Sequence, residues 1–215
     1  MTPEPLDPLS LQALAASGPV IPVIVLGRVE QALPLAEALL AGGIRVLELT
    51  LRTPAGLGAI EAIARALPEA CVGAGTLRHA ADAVSAQRAG ARFGVSPGFS
   101  GALSRACADL ALPLLPGVST ASEVMAAGDA GHQLLKFFPA QAAGGIRMLE
   151  ALAGPFPDVS FCPTGGIGPD NVSRYLALRN VAVCGGSWLT PADALRDGDW
   201  PRITRLAREA SALRP

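Results

Sequence analysis

The chain has 215 residues, half of them hydrophobic and only 4% aromatic, so it can bury a large core of aliphatic side chains. Its formal net charge is -1 without a run of like charges, which excludes the clustered Lys and Arg of a nucleic-acid surface. The acidic, proline-containing N-terminus is unlike a secretory signal, and no apolar run approaches the ~20 residues of a spanning helix. We therefore expect a cytoplasmic protein that binds neither nucleic acid nor membrane.

Eight short apolar runs follow one another along the chain, and seven of them close on Gly, Pro, Ser or Thr or just before such a residue. Runs of this kind are typical of buried parallel strands. The predicted strands are Val20–Leu26, Ile44–Leu51, Cys71–Thr76, Ala91–Ser96, Leu112–Pro116, Gln133–Phe138, Val159–Pro163 and Val181–Cys184.

Helical segments rich in Ala and Leu lie between these runs, among them Pro54–Leu67, Thr120–Ala127, Pro169–Leu178 and Pro201–Ala212. Thr120 and Glu123 have the spacing of a capping box, which marks a helix start. The repeat of strand and helix predicts an α/β fold, a (β/α)8 TIM barrel in a single domain over residues 1–215, with a doubly wound open sheet as the alternative. Residues 1–19 predict an extension with an extra helix that covers the base of the barrel.

Polar residues are placed at the carboxyl ends of the predicted strands, where barrels carry their chemistry. Side chains alternate across a strand, so Glu48 and Arg52 share one face of the second strand and its leucines share the other. By the same alternation Lys136 and Phe138 share one face of the sixth strand. We expect both polar faces to point into the barrel, where Glu48, Arg52 and Lys136 can converge.

Lys136 is the only lysine in the sequence, whereas the chain has sixteen arginines. Burial favours the neutral amine over the ammonium, and a neutral amine attacks carbonyl carbon to form a Schiff base. Arginine cannot do this because its guanidinium stays protonated. The alternative is a structural ion pair between Lys136 and Glu48, a role in which arginine would serve as well.

The other candidates would support such a lysine. Glu48 is the inward carboxylate that can act as general acid and base, unless it only holds Arg52. Arg52 can grip a substrate carboxylate through two parallel hydrogen bonds, with a salt bridge at the rim as the alternative. Thr76 can bind the same carboxylate or simply cap its strand, and Phe138 can form a wall beside the substrate or pack in the core.

Two glycine pairs follow the seventh and eighth predicted strands, in the stretches PTGGIG and VCGGSW. In barrels the loops after these two strands commonly seat a phosphate, because glycine lets backbone N–H groups approach an anion. The candidates are Thr164, Gly165, Gly166, Gly186 and Ser187. The alternative is that each glycine pair makes only a tight turn.

Other motifs are interpreted as structural. Gly94-Val95-Ser96-Pro97-Gly98 matches GxSxG, but a nucleophile elbow needs the N–H of the residue after serine, which Pro97 lacks. Gly73-Ala74-Gly75 lacks the third glycine of a dinucleotide fingerprint, so we interpret both stretches as turns. The four cysteines are scattered and form no CxxC motif, so we expect buried free thiols, no zinc site and no metal cofactor.

Seven stretches resemble, in order, the 2-keto-3-deoxy-6-phosphogluconate (KDPG) aldolases and the related 4-hydroxy-2-oxoglutarate (KHG) aldolases. They are VLELTLRT (46–53), VGAGT (72–76), SPG (96–98), LPGVST (115–120), KFFPA (136–140), FCPTGGI (161–167) and GGSWL (185–189). The resemblance implies a class I aldolase of the Entner–Doudoroff pathway, a (β/α)8 barrel that is usually a homotrimer. It also implies that Lys136 forms the Schiff base, Glu48 is the acid/base, and Arg52 and Thr76 hold the pyruvate end with Phe138 beside it. The phosphate would be held by Gly165, Gly166, Gly186 and Ser187.

We therefore predict reversible retro-aldol cleavage of a phosphorylated 2-keto acid, with the covalent lysine adduct in place of a cofactor. The same chemistry on 4-hydroxy-2-oxoglutarate or on the galactonate epimer of the substrate is the near alternative. More distant alternatives are a sugar-phosphate isomerase and a non-catalytic protein that binds a phosphorylated ligand. Both of these predict that no covalent adduct forms on Lys136.

Overall fold

A computed structural model describes residues 11–213 of the chain, and within this range nine strands alternate with ten α-helices. The strands are β1 (Val20–Ile24), β2 (Val46–Thr50), β3 (Cys71–Gly75), β4 (Gly94–Val95), β5 (Leu114–Leu115), β6 (Gly117–Val118), β7 (Leu134–Phe137), β8 (Ser160–Pro163) and β9 (Cys184–Gly186). The helices are α1 (Leu11–Ala16), α2 (Ala32–Ala41), α3 (Ala55–Ala66), α4 (Ala80–Arg88), α5 (Gly101–Asp109), α6 (Ala121–Asp129), α7 (Gly145–Leu152), α8 (Val172–Leu176), α9 (Ala192–Asp197) and α10 (Trp200–Ser211).

All of the paired strands run parallel, and apart from the pair of β1 with β9, neighbours in the sheet are neighbours along the chain. One sheet has the order β5-β4-β3-β2-β1-β9, in which the first strand pairs with the last, and a second has the order β6-β7-β8. Only Pro116, which has no N–H to donate, separates β5 from β6. This order lacks the reversal of a doubly wound sheet, so the predicted α/β class is confirmed as a curled parallel sheet.

The alternation predicted for β2 and β7 is confirmed by two separate apolar clusters. Leu47, Leu49, Leu135 and Phe137 belong to the larger cluster, which includes residues of most of the helices. The concave face of the sheet carries the smaller cluster, which we call the inner core. Its buried members are Leu14, Ile21, Val46, Cys71, Phe93, Val95, Leu115, Leu134, Cys162 and Val183.

Helix α1 covers one end of the inner core, as the extra N-terminal helix was predicted to do. Leu14 of this helix is 3% exposed and belongs to the inner core, and Leu11 and Ala15 pack against it. The predicted extension covers residues 1–19, of which 1–10 lie outside the described residues. No helix within residues 11–213 combines the length and the apolar character needed to span a bilayer.

Several local predictions are confirmed and others are wrong. Thr120 caps α6, and its hydroxyl and the Glu123 carboxylate each accept the other's backbone N–H, at 3.3 and 2.9 Å. Gly73-Ala74-Gly75 is not a turn, because these residues form the end of β3. The eighth strand was predicted to end at Cys184, but β9 begins there and includes Gly186, which pairs with Pro22.

Candidate active site

Lys136 and Glu48 meet across the concave face of the sheet, from β7 and β2, two strands that are not neighbours. The Lys136 Nζ lies 3.4 Å from Glu48 Oε1, and each residue is only 3% exposed. The inward alternation brings them together, because Lys136 and Glu48 each follow an inner-core residue by two positions, Leu134 and Val46. The predicted convergence of these two side chains is confirmed.

An aromatic ring lies beside the amine. Phe138, two residues beyond Lys136, places its ring centroid 5.1 Å from the Lys136 Nζ, within cation–π range. Its side chain is half-buried and lines a cavity, so it is a wall of that cavity and not a buried core residue.

Arg52 and Thr76 form a second polar pair on the same cavity. Arg52 Nε donates a hydrogen bond to Thr76 Oγ1 at 3.2 Å, while the Arg52 Nη groups make no hydrogen bond within residues 11–213. Thr76 has a φ of +67°, a left-handed conformation that is strained for a β-branched residue. The fold therefore holds the Thr76 hydroxyl in place against a backbone preference, and it leaves the fork of the Arg52 guanidinium available to an anion.

The cavity has a volume of about 470 Å³. Its lining includes nine of the ten predicted site residues, namely Arg52, Thr76, Lys136, Phe138, Thr164, Gly165, Gly166, Gly186 and Ser187. The tenth, Glu48, reaches it through its contact with Lys136. The polar side chains named for the carboxylate and the glycines named for the phosphate therefore share one compartment.

The glycine end of the cavity is built from backbone. Gly165 and Gly166 have φ values of +100° and +77°, which L side chains rarely adopt. Among the described residues, the backbone N–H groups of Gly166 and Ser187 have no hydrogen-bond partner. Two unsatisfied donors at the wall of a cavity can serve an anion. Helix α8, predicted over Pro169–Leu178, begins at Val172 and has five residues, so it does not begin directly after the Gly165–Gly166 pair.

Sequence reasoning missed five further lining residues and one supporting residue. The missed lining residues are Val23, Val25, Pro97, Ile167 and Gly185. The inward alternation of β1, which places Ile21 in the inner core, gave a signal for Val23 and Val25. Asn171 supports the glycine loop, since its amide donates to the Gly166 carbonyl at 2.9 Å and its Oδ1 accepts from the Gly168 N–H at 3.0 Å. An Asn that follows a Gly-Pro turn was the only signal for this residue.

The cysteines have the structural character that the sequence predicted, but the turn predicted over residues 94–98 is wrong for the first two, which form β4. Ser96 is 1% exposed and donates its hydroxyl hydrogen to the Gly98 carbonyl at 2.8 Å. All four cysteines are buried free thiols. Burial raises the pKa of Cys162 to about 12, although the positive charge of Lys136 acts in the opposite direction. No group of three or more His, Cys, Asp or Glu side chains within residues 11–213 is arranged to hold a metal ion.

Together these features define a parallel α/β protein whose site combines a buried lysine–carboxylate pair with two backbone N–H groups that have no partner among the described residues. The family described as "Aldolase: KDPG and KHG aldolase" matches residues 11–206. The KHG/KDPG aldolase of Escherichia coli K12 is 53% identical over 201 residues, which cover 94% of each chain.

Solved structures agree with this assignment. The KDPG aldolase of Legionella pneumophila, with pyruvate captured as a covalent carbinolamine, has a TM-score of 0.92 at 49% identity and covers 94% of this chain and 98% of its own. The KDPG aldolase of Zymomonas mobilis with 3-phosphoglycerate has a TM-score of 0.90 at 44% identity, with coverage of 96% and 97%. The chain therefore belongs to the KDPG and KHG aldolase family, and it is an aldolase, a carbon–carbon lyase.

Proposed function

We propose that this protein is a class I aldolase that reversibly cleaves 2-dehydro-3-deoxy-6-phosphogluconate to pyruvate and glyceraldehyde 3-phosphate, the reaction of the Entner–Doudoroff pathway. The observation that carries the proposal is the Lys136–Glu48 pair, buried and 3.4 Å apart at the floor of the cavity. A nucleophilic amine and an acid/base within reach of one substrate are what Schiff-base cleavage needs. The covalent pyruvate carbinolamine of the Legionella pneumophila relative supports the same chemistry here.

The reaction begins when the neutral Lys136 amine attacks the C2 ketone, and loss of water from the carbinolamine gives an iminium. Glu48, through a water molecule, takes the proton of the C4 hydroxyl. The O–H electrons then form the aldehyde C=O, the C3–C4 bond breaks, and its electrons neutralise the iminium to give an enamine. Glyceraldehyde 3-phosphate leaves, C3 of the enamine takes a proton, and water releases pyruvate from Lys136.

Arg52 and Thr76 hold the pyruvate carboxylate in this proposal. The free Arg52 Nη groups supply two parallel donors, and the Arg52 Nε bond to the Thr76 hydroxyl fixes the plane of the guanidinium. Phe138 lies over the Lys136 Nζ and forms a wall beside the apolar carbon of the substrate. These contacts orient the C2 ketone toward the Lys136 amine.

The phosphate occupies the glycine end of the cavity. The Gly166 and Ser187 N–H groups have no hydrogen-bond partner within residues 11–213 and supply donors, and Gly165 and Gly186 let the anion approach the backbone. Thr164 and the Ser187 hydroxyl add side-chain hydrogen bonds. The 3-phosphoglycerate bound to the Zymomonas mobilis relative supports a phosphorylated substrate.

A second substrate is favoured by one observation. The Escherichia coli relative is named for both KHG and KDPG, so we propose that 4-hydroxy-2-oxoglutarate is cleaved by the same residues. Its second carboxylate would take the place of the phosphate. The 6-phosphogalactonate epimer differs from the 6-phosphogluconate substrate only at C4. Initial rates of cleavage on these two compounds and on 4-hydroxy-2-oxoglutarate establish the order of substrate preference.

The architecture and assembly complete the proposal. The isolated bridges Phe161–Val181 and Thr164–Gly185 join β8 to the region of β9, and Pro116 joins β5 to β6, which supports a closed (β/α)8 barrel in a single domain. A cytoplasmic homotrimer is proposed from the family resemblance. A mass of one or two chains, measured by sedimentation equilibrium, would contradict the trimer.

Reduction with borohydride in the presence of pyruvate tests the proposed chemistry. We expect one reduced pyruvate adduct, mapped by peptide mass spectrometry to Lys136. Cleavage activity without any adduct would contradict the Schiff base. Isomerisation of a sugar phosphate without an adduct would indicate the isomerase, and phosphate-ligand binding without turnover or adduct would indicate a binding protein.

A further inference from the structure

Two glycines on the inward face of β3 have no conformational reason to be glycine. Gly73 and Gly75 do not adopt positive φ values, so an alanine would fit the backbone at either position. Glycine inside a strand weakens it, and its presence there indicates that another group approaches closely. At these two positions the approaching groups differ.

A Cβ on Gly73 would collide with the ring of Phe93, a member of the inner core. A Cβ on Gly75 would collide with Glu48 instead, overlapping Oε1 and lying 2.8 and 2.9 Å from Cγ and Cδ. The end of the Glu48 side chain therefore lies over the bare backbone of Gly75. Gly73 leaves space for a packing residue, and Gly75 leaves space for the carboxylate that contacts Lys136.

We propose that Gly75 is a positioning residue for the acid/base Glu48, an inference that rests on the aldolase mechanism proposed above. Glu48 is 3% exposed and comes from the middle of β2, so its carboxylate reaches the Lys136 Nζ by crossing the neighbouring strand at Gly75. The Nζ–Oε1 distance of 3.4 Å is close to the upper limit for a hydrogen bond, so a small movement of the carboxylate away from Lys136 breaks the bond. A methyl group at position 75 takes the space of the carboxylate and moves it away from the reacting atoms.

The step that Glu48 performs can be observed separately from Schiff-base formation. With pyruvate alone, Lys136 forms the iminium, Glu48 removes a methyl proton to give the enamine, and return of a deuteron from D2O labels the methyl group. NMR measures this exchange, while borohydride trapping measures the amount of iminium. In Gly75→Ala we expect exchange to slow by about 100-fold, the effect of misplacing a catalytic group by about 1 Å, with trapping at Lys136 retained at saturating pyruvate.

A double-mutant cycle with Glu48→Asp tests whether Gly75 acts through Glu48. The shorter side chain withdraws the carboxylate from position 75, so Glu48→Asp alone slows exchange. Adding Gly75→Ala to Glu48→Asp should then slow it by less than about 3-fold more, since the clash has been relieved. If the two losses multiply, Gly75 serves the fold and not Glu48, and the proposal is wrong.

Gly73→Ala is the matched control, because it adds the same methyl group to the same strand and face but meets Phe93. We expect its exchange rate to stay within about 3-fold of wild type at a temperature where it is folded. A 100-fold loss in this control would overturn the proposal. If neither Gly75→Ala nor the double variant folds, the proposal is also overturned, because shortening Glu48 should remove the clash. If Gly75→Ala fails to fold and the double variant folds, the proposal is supported. A wild-type protein that neither traps nor exchanges pyruvate would overturn the proposed function itself.

Discussion

The two ends of the concave face of the sheet differ in what they contain. At the end covered by α1, which we call the closed end, all ten buried members of the inner core are apolar. At the other end, the open end, the same strands surround a cavity of about 470 Å³ that Lys136 lines. On β7 the change takes two residues, from Leu134 to Lys136, which point to the same face.

The comparison shows that one strand can serve stability at one end and chemistry at the other. Burial of Leu134 stabilises the fold, whereas taking the charges of Lys136 and Glu48 out of water costs free energy that their attraction only partly offsets. A buried pair of this kind is therefore weak evidence of a role in stability.

The largest expected effect comes from the open end, with Lys136→Arg. Charge is retained but the nucleophilic amine is lost, so we expect kcat/KM for cleavage to fall by at least about 10⁴-fold. Borohydride with pyruvate should leave no adduct, and thermal unfolding should show a cooperative transition. Cleavage at a near wild-type rate would contradict the role of Lys136.

Leu134→Ala tests the closed end two residues away. The cavity it creates in the inner core should lower the free energy of unfolding by about 2–5 kcal/mol, measured by urea denaturation. Its pyruvate adduct at Lys136 should persist below the unfolding transition. If instead the adduct is lost while stability is unchanged, the division between the two ends is wrong.

A smaller effect is expected at the glycine end, with Ser187→Ala. Loss of one hydroxyl hydrogen bond to a charged phosphate should reduce kcat/KM for the phosphorylated substrate by about 10-fold. Methyl exchange of pyruvate, which has neither a phosphate nor a second carboxylate, serves as the internal control and should fall much less. Equal losses in cleavage and in exchange would place Ser187 outside the phosphate seat.

The smallest effect concerns His132, which lies between α6 and β7 and contacts α5. Its ring bonds the Ser104 hydroxyl at 2.8 Å, and burial lowers the pKa of His132. The unfolded chain then binds the proton more readily, so stability should decline as the pH falls below about 6.5. In His132→Asn this decline should be shallower by a few tenths of a kcal/mol. The pH profile of cleavage should be the same in both proteins, and a shifted profile would link His132 to the site.

Much of the site could be predicted because strand alternation is local. Lys136, Glu48 and Phe138 needed only a period of two and the position of a strand end. Asn171 could not be predicted in the same way, because its hydrogen bonds to the Gly166 and Gly168 backbone depend on the path of a loop.

The glycines on β3 and β9 show more clearly what a local sequence pattern cannot predict. Gly75 and Gly186 were interpreted as turn and loop residues, since glycine most often punctuates a chain. Both lie in strands, and a Cβ on Gly75 would collide with Glu48, a side chain that comes from another strand. No local pattern records such a contact between residues distant in sequence.

The sequence by itself determined the alternation of strand and helix, the face on which each strand residue lies, and the residue types available at the strand ends. These follow from propensities and periods that act over a few residues. Only the tertiary structure decided that the Lys136 amine and the Glu48 carboxylate lie 3.4 Å apart. The curl of the sheet sets that separation, through the packing of all its strands against the helices and the inner core, and no stretch of sequence contains it.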